Sequence, residues 1–231
     1  MNSPSRLSAQ TKRSVLVVVL TAASGSLDAV GFLRLGGVFT SVMTANMVLL
    51  GVSAGTRDAA LAAHAGAAFG GYFLGSFLGS RVSGRAEDDQ PVWPRRVSLT
   101  LSVELAVLTA FAAWWEATGG HPPGGQTYGL LTVNAIALGM QSAAVLRFGV
   151  PGLSATYLTG TLTQFVASLS RGRVLTQSLA SLVAVVSGGA VGAVLAVEAP
   201  RFMPIVPLGV VALVLVGSQL AFGSEETTSR T

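Results

Sequence analysis

From Ser14 to Phe222 the chain is a succession of apolar runs, with most of its charges pushed into the gaps between them. No other feature limits the fold as much. About 20 apolar residues match the roughly 30 Å hydrocarbon core of a bilayer. Backbone placed there must satisfy its own hydrogen bonds, which makes each run a helix. Eight segments can be marked, at 14–35, 38–55, 58–82, 97–117, 128–148, 153–170, 175–198 and 203–222. The fold class is therefore all-α, a polytopic membrane helical bundle. Residues 1–231 read as a single integral membrane domain, with polar tails at 1–11 and 223–231 expected to be disordered.

Charge supports this class. Only 10% of residues are charged and 51% are hydrophobic, whereas a soluble domain carries about 25% charged residues. The net charge of +4 would suggest nucleic acid in a soluble protein. Here the Arg residues sit in short loops beside apolar segments, where they set topology, so the bilayer is the expected partner and nucleic acid is not. The absence of Cys excludes thiolate metal sites, disulfides and Cys nucleophiles. No zinc-protease, phosphate-loop, dinucleotide or nucleophile-elbow motif appears. We expect no enzymatic activity, no metal and no cofactor.

Lys12-Arg13 followed by "SVLVVVLTAAS" has the outline of a signal peptide. The apolar character runs on through Gly31-Phe32-Leu33, which favours an uncleaved span.

The second and sixth segments are anomalous. Each has about 18 residues, near the lower limit for a span, and each is studded with polar groups. The second carries Thr44 and Asn46. The sixth carries Ser154, Thr156, Tyr157, Thr159, Thr161, Thr163, Gln164 and Ser168.

These two segments also belong to an internal repeat. Leu33-Arg34-Leu35-Gly36 aligns with Leu146-Arg147-Phe148-Gly149. After a two-residue insertion, Met43-Thr44-Ala45-Asn46 aligns with Leu158-Thr159-Gly160-Thr161. Asp28 falls on Gln141, and Gly71 and Gly75 fall on Gly188 and Gly192. Segments at 14–117 and 128–222 thus read as two copies of one unit.

The positive-inside rule decides how the copies are related. If all eight segments cross, the inside holds Arg6, Lys12, Arg13, Arg57, Arg171, Arg173 and Arg230, seven of the 14 basic residues. If the second and sixth turn back, it holds Arg6, Lys12, Arg13, Arg81, Arg85, Arg95, Arg96, Arg147, Arg171, Arg173 and Arg230, eleven of 14. The biased count is preferred. It predicts six transmembrane helices plus two short re-entrant or half-buried helices, both termini cytoplasmic. Three spans per copy is an odd number, so the repeats are inverted. Inverted repeats with interrupted helices are a recurring transporter plan.

Candidate pathway residues follow from burial cost. Asp28 lies about 20 Å along the first helix, and His64 comes to a similar depth on the third. A carboxylate there needs a partner, and an Asp28–His64 contact is one candidate. Backbone groups of the broken segment are the other. Thr44, Asn46, Asn134, Gln141, Thr159, Thr161 and Gln164 read either as interhelical hydrogen-bonding groups or as a polar lining. Arg34 and Arg147 read as helix-end anchors or as vestibule cations. Glu104 is a further buried acid, suited to an Arg partner or a lumen-facing site. Gly71, Gly75 and Gly79 form a small-residue ladder that Gly188 and Gly192 repeat, a helix-packing signature. It predicts tight packing of the third and seventh helices, in the core or across a homo-oligomer face.

"SGSLDAVGFLRLGGVFTSVMTANMVLLG" and "LGMQSAAVLRFGVPGLSATYLTGTLTQF" together resemble the YoaK family, bacterial multi-pass membrane proteins built on a domain of unknown function. The family pattern has Thr-Gly-Asn where this chain has Thr44-Ala45-Asn46, while Thr159-Gly160-Thr161 keeps the glycine. The resemblance implies an inner-membrane protein and brings no substrate. The functional expectation is passage of a small solute through a polar pathway between the repeats. The alternative is a non-transporting module that binds a partner or lipid.

Overall fold

A computed structural model describes residues 4–85, 91–148 and 158–228, with side chains described over 8–85, 91–148 and 158–222. Gly149, Ser154, Thr156 and Tyr157 lie outside the described residues. Eight α-helices are present among the described residues: α1 (Pro4–Arg34), α2 (Met43–Thr56), α3 (Ala59–Ser83), α4 (Arg95–Ala117), α5 (Gly124–Leu146), α6 (Leu158–Leu169), α7 (Thr176–Glu198) and α8 (Ile205–Thr228). A 3-10 turn at Pro200–Phe202 leads into α8. The tails differ from expectation. Residues 4–11 are the opening turns of α1, and α8 continues to Thr228.

Six helical stretches are long and apolar enough to cross a membrane: Ser8–Arg34, Ala59–Ser83, Arg95–Ala117, Gly124–Leu146, Thr176–Glu198 and Pro200–Phe222. Among the described residues, α2 has 14 residues and α6 has 12. At 1.5 Å per residue these reach about 21 and 18 Å, short of a roughly 30 Å core.

Contacts at the helix ends fix the path of the chain. At one end, Arg34 lies 3.5 Å from His121 in the α4–α5 turn. Trp115 Nε1 donates to the Pro200 carbonyl at 2.7 Å, and Arg201 pairs with Glu116 at 2.7 Å. At the other end, Arg147 Nε donates to the Ser83 carbonyl at 2.9 Å. There Arg13 sits over the Phe148 ring at 5.3 Å, and Trp93 packs on Phe148 and Phe222. So α1, α3, α4, α5, α7 and α8 alternate in direction, while α2 leaves from and returns to the Arg34 end. Lys12, Arg13, Arg81, Arg85, Arg95, Arg96, Arg147, Arg171 and Arg173 gather at the Arg147 end. Arg34, Arg57 and Arg201 gather at the opposite end.

The closest helix pairs are α1 with α7 and α3 with α5. Glycines make both. A Cβ on Gly71 would come within 2.6 Å of the Thr132 carbonyl oxygen, and one on Gly79 within 2.9 Å of Met140 Cα. Gly75 lies directly on the Ile136 backbone. On α7, a Cβ on Gly188 would meet Ala22 Cα at 2.8 Å, and one on Gly192 the Ser26 carbonyl oxygen at 2.6 Å. The ladder faces α5 and its counterpart faces α1, so both close contacts lie inside one chain. Close approach of this kind replaces the missing hydrophobic drive between helices in lipid.

The central helices are α1 and α5. Within an 18-residue apolar stretch of each helix, 61% is buried in α1 and 67% in α5, against 22% in both α3 and α7. Leu20, Leu27, Leu101, Leu108, Leu138 and Val214 pack one half of the core; Val30, Ala65, Phe111, Trp115, Leu130 and Met203 pack the other. The outward faces carry Phe73, Phe77, Val186, Leu213 and Leu220. So much exposed apolar surface suits lipid contact and would drive aggregation in water.

Candidate functional site

Asp28 sits about 9 Å inside the end of α1, six residues before Arg34, and is 7% exposed. Beyond Arg34 the chain makes a sharp reversal through Gly36 and Gly37, both at positive φ (104° and 74°). Side chains resist that region, and glycine enters it freely. Gly36 also lies against the His64 ring, leaving no room for a Cβ.

The reversal sends residues 38–42 back down to the level of Asp28. Asp28 Oδ1 accepts the Thr40 N–H at 2.8 Å, the Thr40 hydroxyl at 3.0 Å and the Ser41 N–H at 2.8 Å. Oδ2 accepts the Ser41 hydroxyl at 2.5 Å. Ser24, one turn earlier on α1, donates to the Ser41 oxygen at 3.3 Å. One residue upstream, Asn46 Oδ1 accepts the Phe39 N–H at 3.1 Å while its Nδ2 donates to the Phe39 carbonyl at 2.5 Å. Irregular backbone at membrane depth must find partners within the protein. Asp28 and Asn46 supply them. The helix α2 therefore starts inside the bundle, at Asp28 depth, and runs back to its own end, where Arg57 closes it in a left-handed cap (φ 58°).

Beside this hub lies an open cleft of about 420 Å³ between α1, the 38–42 turn and α7. Asp28 shares its walls with Gly25, Phe32, Phe39, Val42, Val185 and Gly189. Phe32 and Phe39 stack with ring centroids 5.4 Å apart. The lining is apolar apart from the carboxylate.

The anticipated Asp28–His64 contact does not form. The carboxylate is turned toward the 38–42 backbone on the α7 side, whereas α3 packs on α5. His64 bonds the Ala60 carbonyl at 2.8 Å and the Thr127 hydroxyl at 3.4 Å, and stacks on Tyr128 at 4.2 Å. It ties the starts of α3 and α5 together.

Among the described residues, the polar groups of the two short helices do not share one face. Asn46 and Thr161 are buried, but Thr44, Thr159 and Gln164 face outward. Among the described residues, α2 packs on α3 and α6 on α7, with no comparable packing between α2 and α6. Asn134 Nδ2 reaches the Leu27 carbonyl at 3.5 Å and links α5 to α1. Gln141 Nε2 donates to Glu104 Oε1 at 3.0 Å, both residues fully buried. Arg34 and Arg147 occupy helix ends at opposite faces. Arg147 bonds a terminal carbonyl of α3, as a basic residue does at a helix C-terminus.

Sequence reasoning overlooked Thr40, Ser41, Phe39 and His121. The first three form a short polar-aromatic step twelve or so residues beyond a buried acid. That signal becomes legible only once the chain is known to reverse at Gly36-Gly37.

Fold and site together define a multi-pass helical membrane protein with one short helix that folds back beside a buried carboxylate. The chain belongs to the family described as "Protein of unknown function (DUF1275)", which matches residues 16–217. It is 30% identical over 164 residues to the "UPF0700 transmembrane protein YoaK" of Bacillus subtilis (strain 168), covering 71% of this chain and 70% of that protein. No solved structure matches.

Proposed function

We propose that this protein is a non-enzymatic carrier of the bacterial inner membrane that passes a small solute, with the Asp28 cleft as its intramembrane binding locus. The observation that carries this reading is a buried carboxylate on the wall of a 420 Å³ cleft at membrane depth. Intramembrane carboxylates are costly, and those that persist tend to mark solute or ion paths. The Thr40 and Ser41 contacts hold the carboxylate in place, and among the described residues no cation pairs with it.

Inverted repeats support the reading. The α1–α7 and α3–α5 pairs exchange when the two halves are swapped, as do α4–α5 with α1–α8 and α2–α3 with α6–α7. Helices α1 and α5 run in opposite directions, as inverted copies require. The basic end fits the cytoplasm, which supports a cytoplasmic location for both termini.

The test is flux in proteoliposomes with a panel of small solutes, comparing the natural chain with Asp28→Asn. Protein-dependent flux that Asp28→Asn abolishes, with the variant still monodisperse, is the expected result. Flux insensitive to Asp28→Asn, or no flux at all, overturns it. A second reading, a module that binds lipid or an apolar partner segment, draws on the nearly all-apolar lining of the open cleft. Lipid retained by the natural chain and lost when Gly189→Leu fills the cleft would favour that reading.

A further inference from the structure

Glu104 and Gln141 form a second polar locus, built by different helices from those around Asp28. Glu104 stands nine residues into α4, about 14 Å from Arg95, and both side chains have no exposed surface. The Gln141 amide donates to Glu104 Oε1 at 3.0 Å. Two oxygens are then left over. Glu104 Oε2 and Gln141 Oε1 are buried and have no hydrogen-bond partner.

Among the described residues no donor reaches either oxygen. Leu101 and Leu108 flank Glu104 on α4, Leu138, Ala144 and Val145 flank Gln141 on α5, and Val211 and Val214 come from α8. The helices packed on α4 are α3, α5 and α8. The titratable residues of α3 are His64, Tyr72 and Arg81, and that of α5 is Tyr128, near its start. Those of α8 are Glu225 and Glu226, in its last turn. On α4 itself the others are Arg95, Arg96 and Glu116, near its two ends. Among the described side chains, none of these makes a hydrogen bond or ion pair with Glu104 or Gln141.

Two buried acceptors side by side without a donor are costly. A bare carboxylate with no counter-cation in a bilayer is costlier. A metal ion asks for four or more ligands, and only two oxygens stand free here. A single proton answers both. We propose that Glu104 and Gln141 form a proton-binding site within the membrane: Glu104 Oε2 carries the proton and donates it to Gln141 Oε1. With the Gln141 Nε2 bond to Oε1, this closes a reciprocal acid–amide pair in which every polar atom is partnered. The site is separate from the Asp28 cleft and does not depend on what that cleft binds.

Infrared spectroscopy of the purified full chain in lipid nanodiscs at neutral pH tests this. The natural chain should show a protonated-carboxyl carbonyl band that moves when glutamate is isotope-labelled. Labelling separates it from any aspartic acid signal. The band should be lost in Glu104→Gln, whose amide can restore both hydrogen bonds and keep the fold. In Gln141→Leu it should move to higher frequency, because the carbonyl loses its donor; this variant also serves if Glu104→Gln does not fold. A natural chain without a label-sensitive acid band overturns the proposal, and thermal stabilisation by sodium over choline in that chain would then assign the site to a cation. A band unchanged by both substitutions overturns it too.

Discussion

Asn46 holds the backbone of Phe39 from both sides, accepting its N–H at 3.1 Å and donating to its carbonyl at 2.5 Å. An amide is the side chain suited to this, since it offers a donor and an acceptor in one plane. Asn46→Leu keeps the size and removes both partners, leaving a part-buried N–H and carbonyl unpaired. We expect a loss of about 1–3 kcal/mol, read as a lower midpoint of thermal unfolding in detergent. An unchanged midpoint would mean that water replaces the amide at this depth.

Asp28 anchors the same turn from α1 through Thr40 and Ser41. The chain has no Cys, so a single introduced thiol reports on one site. In an Asp28→Ala background, Val42→Cys should react faster with a water-soluble maleimide than Val42→Cys alone, because the turn is released. Equal labelling rates would show that Asn46 and the glycine reversal suffice to hold it.

Glycine substitutions should split by face. A side chain at Gly75 runs into the Ile136 backbone and one at Gly188 into Ala22. Gly75→Leu and Gly188→Leu are expected to cost about 1–3 kcal/mol, the usual range for overpacking. Gly70 has open space around it, so Gly70→Ala should be neutral or add up to about 1 kcal/mol through helix propensity. Chemical denaturation of the three variants in one detergent decides this, and similar losses at all three would contradict the assigned face.

Topology gives a prediction independent of stability. Single thiols at Arg57 and at Arg201 should label from the same side of intact cells, and a thiol at Arg171 from the other. Arg57 and Arg171 labelling from one side would rule out the fold-back of α2.

Arg34 and His121 meet at 3.5 Å across the α1 end and the α4–α5 turn. Both are solvent-accessible, so the contact contributes little. His121→Ala should shift the unfolding midpoint by less than about 0.5 kcal/mol, whereas Trp115→Ala, which empties a fully buried site and removes the bond to Pro200, should cost about 3–5 kcal/mol.

Much of the architecture was legible before any coordinates. The lengths of the apolar runs named the six long helices, because bilayer thickness sets a length that composition alone reveals. The two short segments stood out for the same reason. The glycine ladder announced close packing through its spacing, and the uneven distribution of Arg anticipated the basic end of the bundle. These are local or periodic properties, and a linear sequence carries them. What the ladder packs against was not legible: its partners Ile136 and Ala22 lie on helices distant in the chain. Nor could the sequence pair Asp28. Its depth matched His64, but depth says nothing about rotation about the helix axis, and rotation turned the carboxylate to Thr40 and Ser41. Gln141 was read as the repeat partner of Asp28, yet its hydrogen bond goes to Glu104 on α4. Thr44, Thr159 and Gln164 were grouped with Asn46 and Thr161 by polarity, and the faces of α2 and α6 separated them. By itself the sequence determined which six stretches are long and apolar enough to cross a bilayer, and it singled out two that lie near the lower limit. The tertiary structure alone decided which buried polar groups meet, because partners at membrane depth are chosen by helix rotation and packing, and neither is written in the order of residues along one helix.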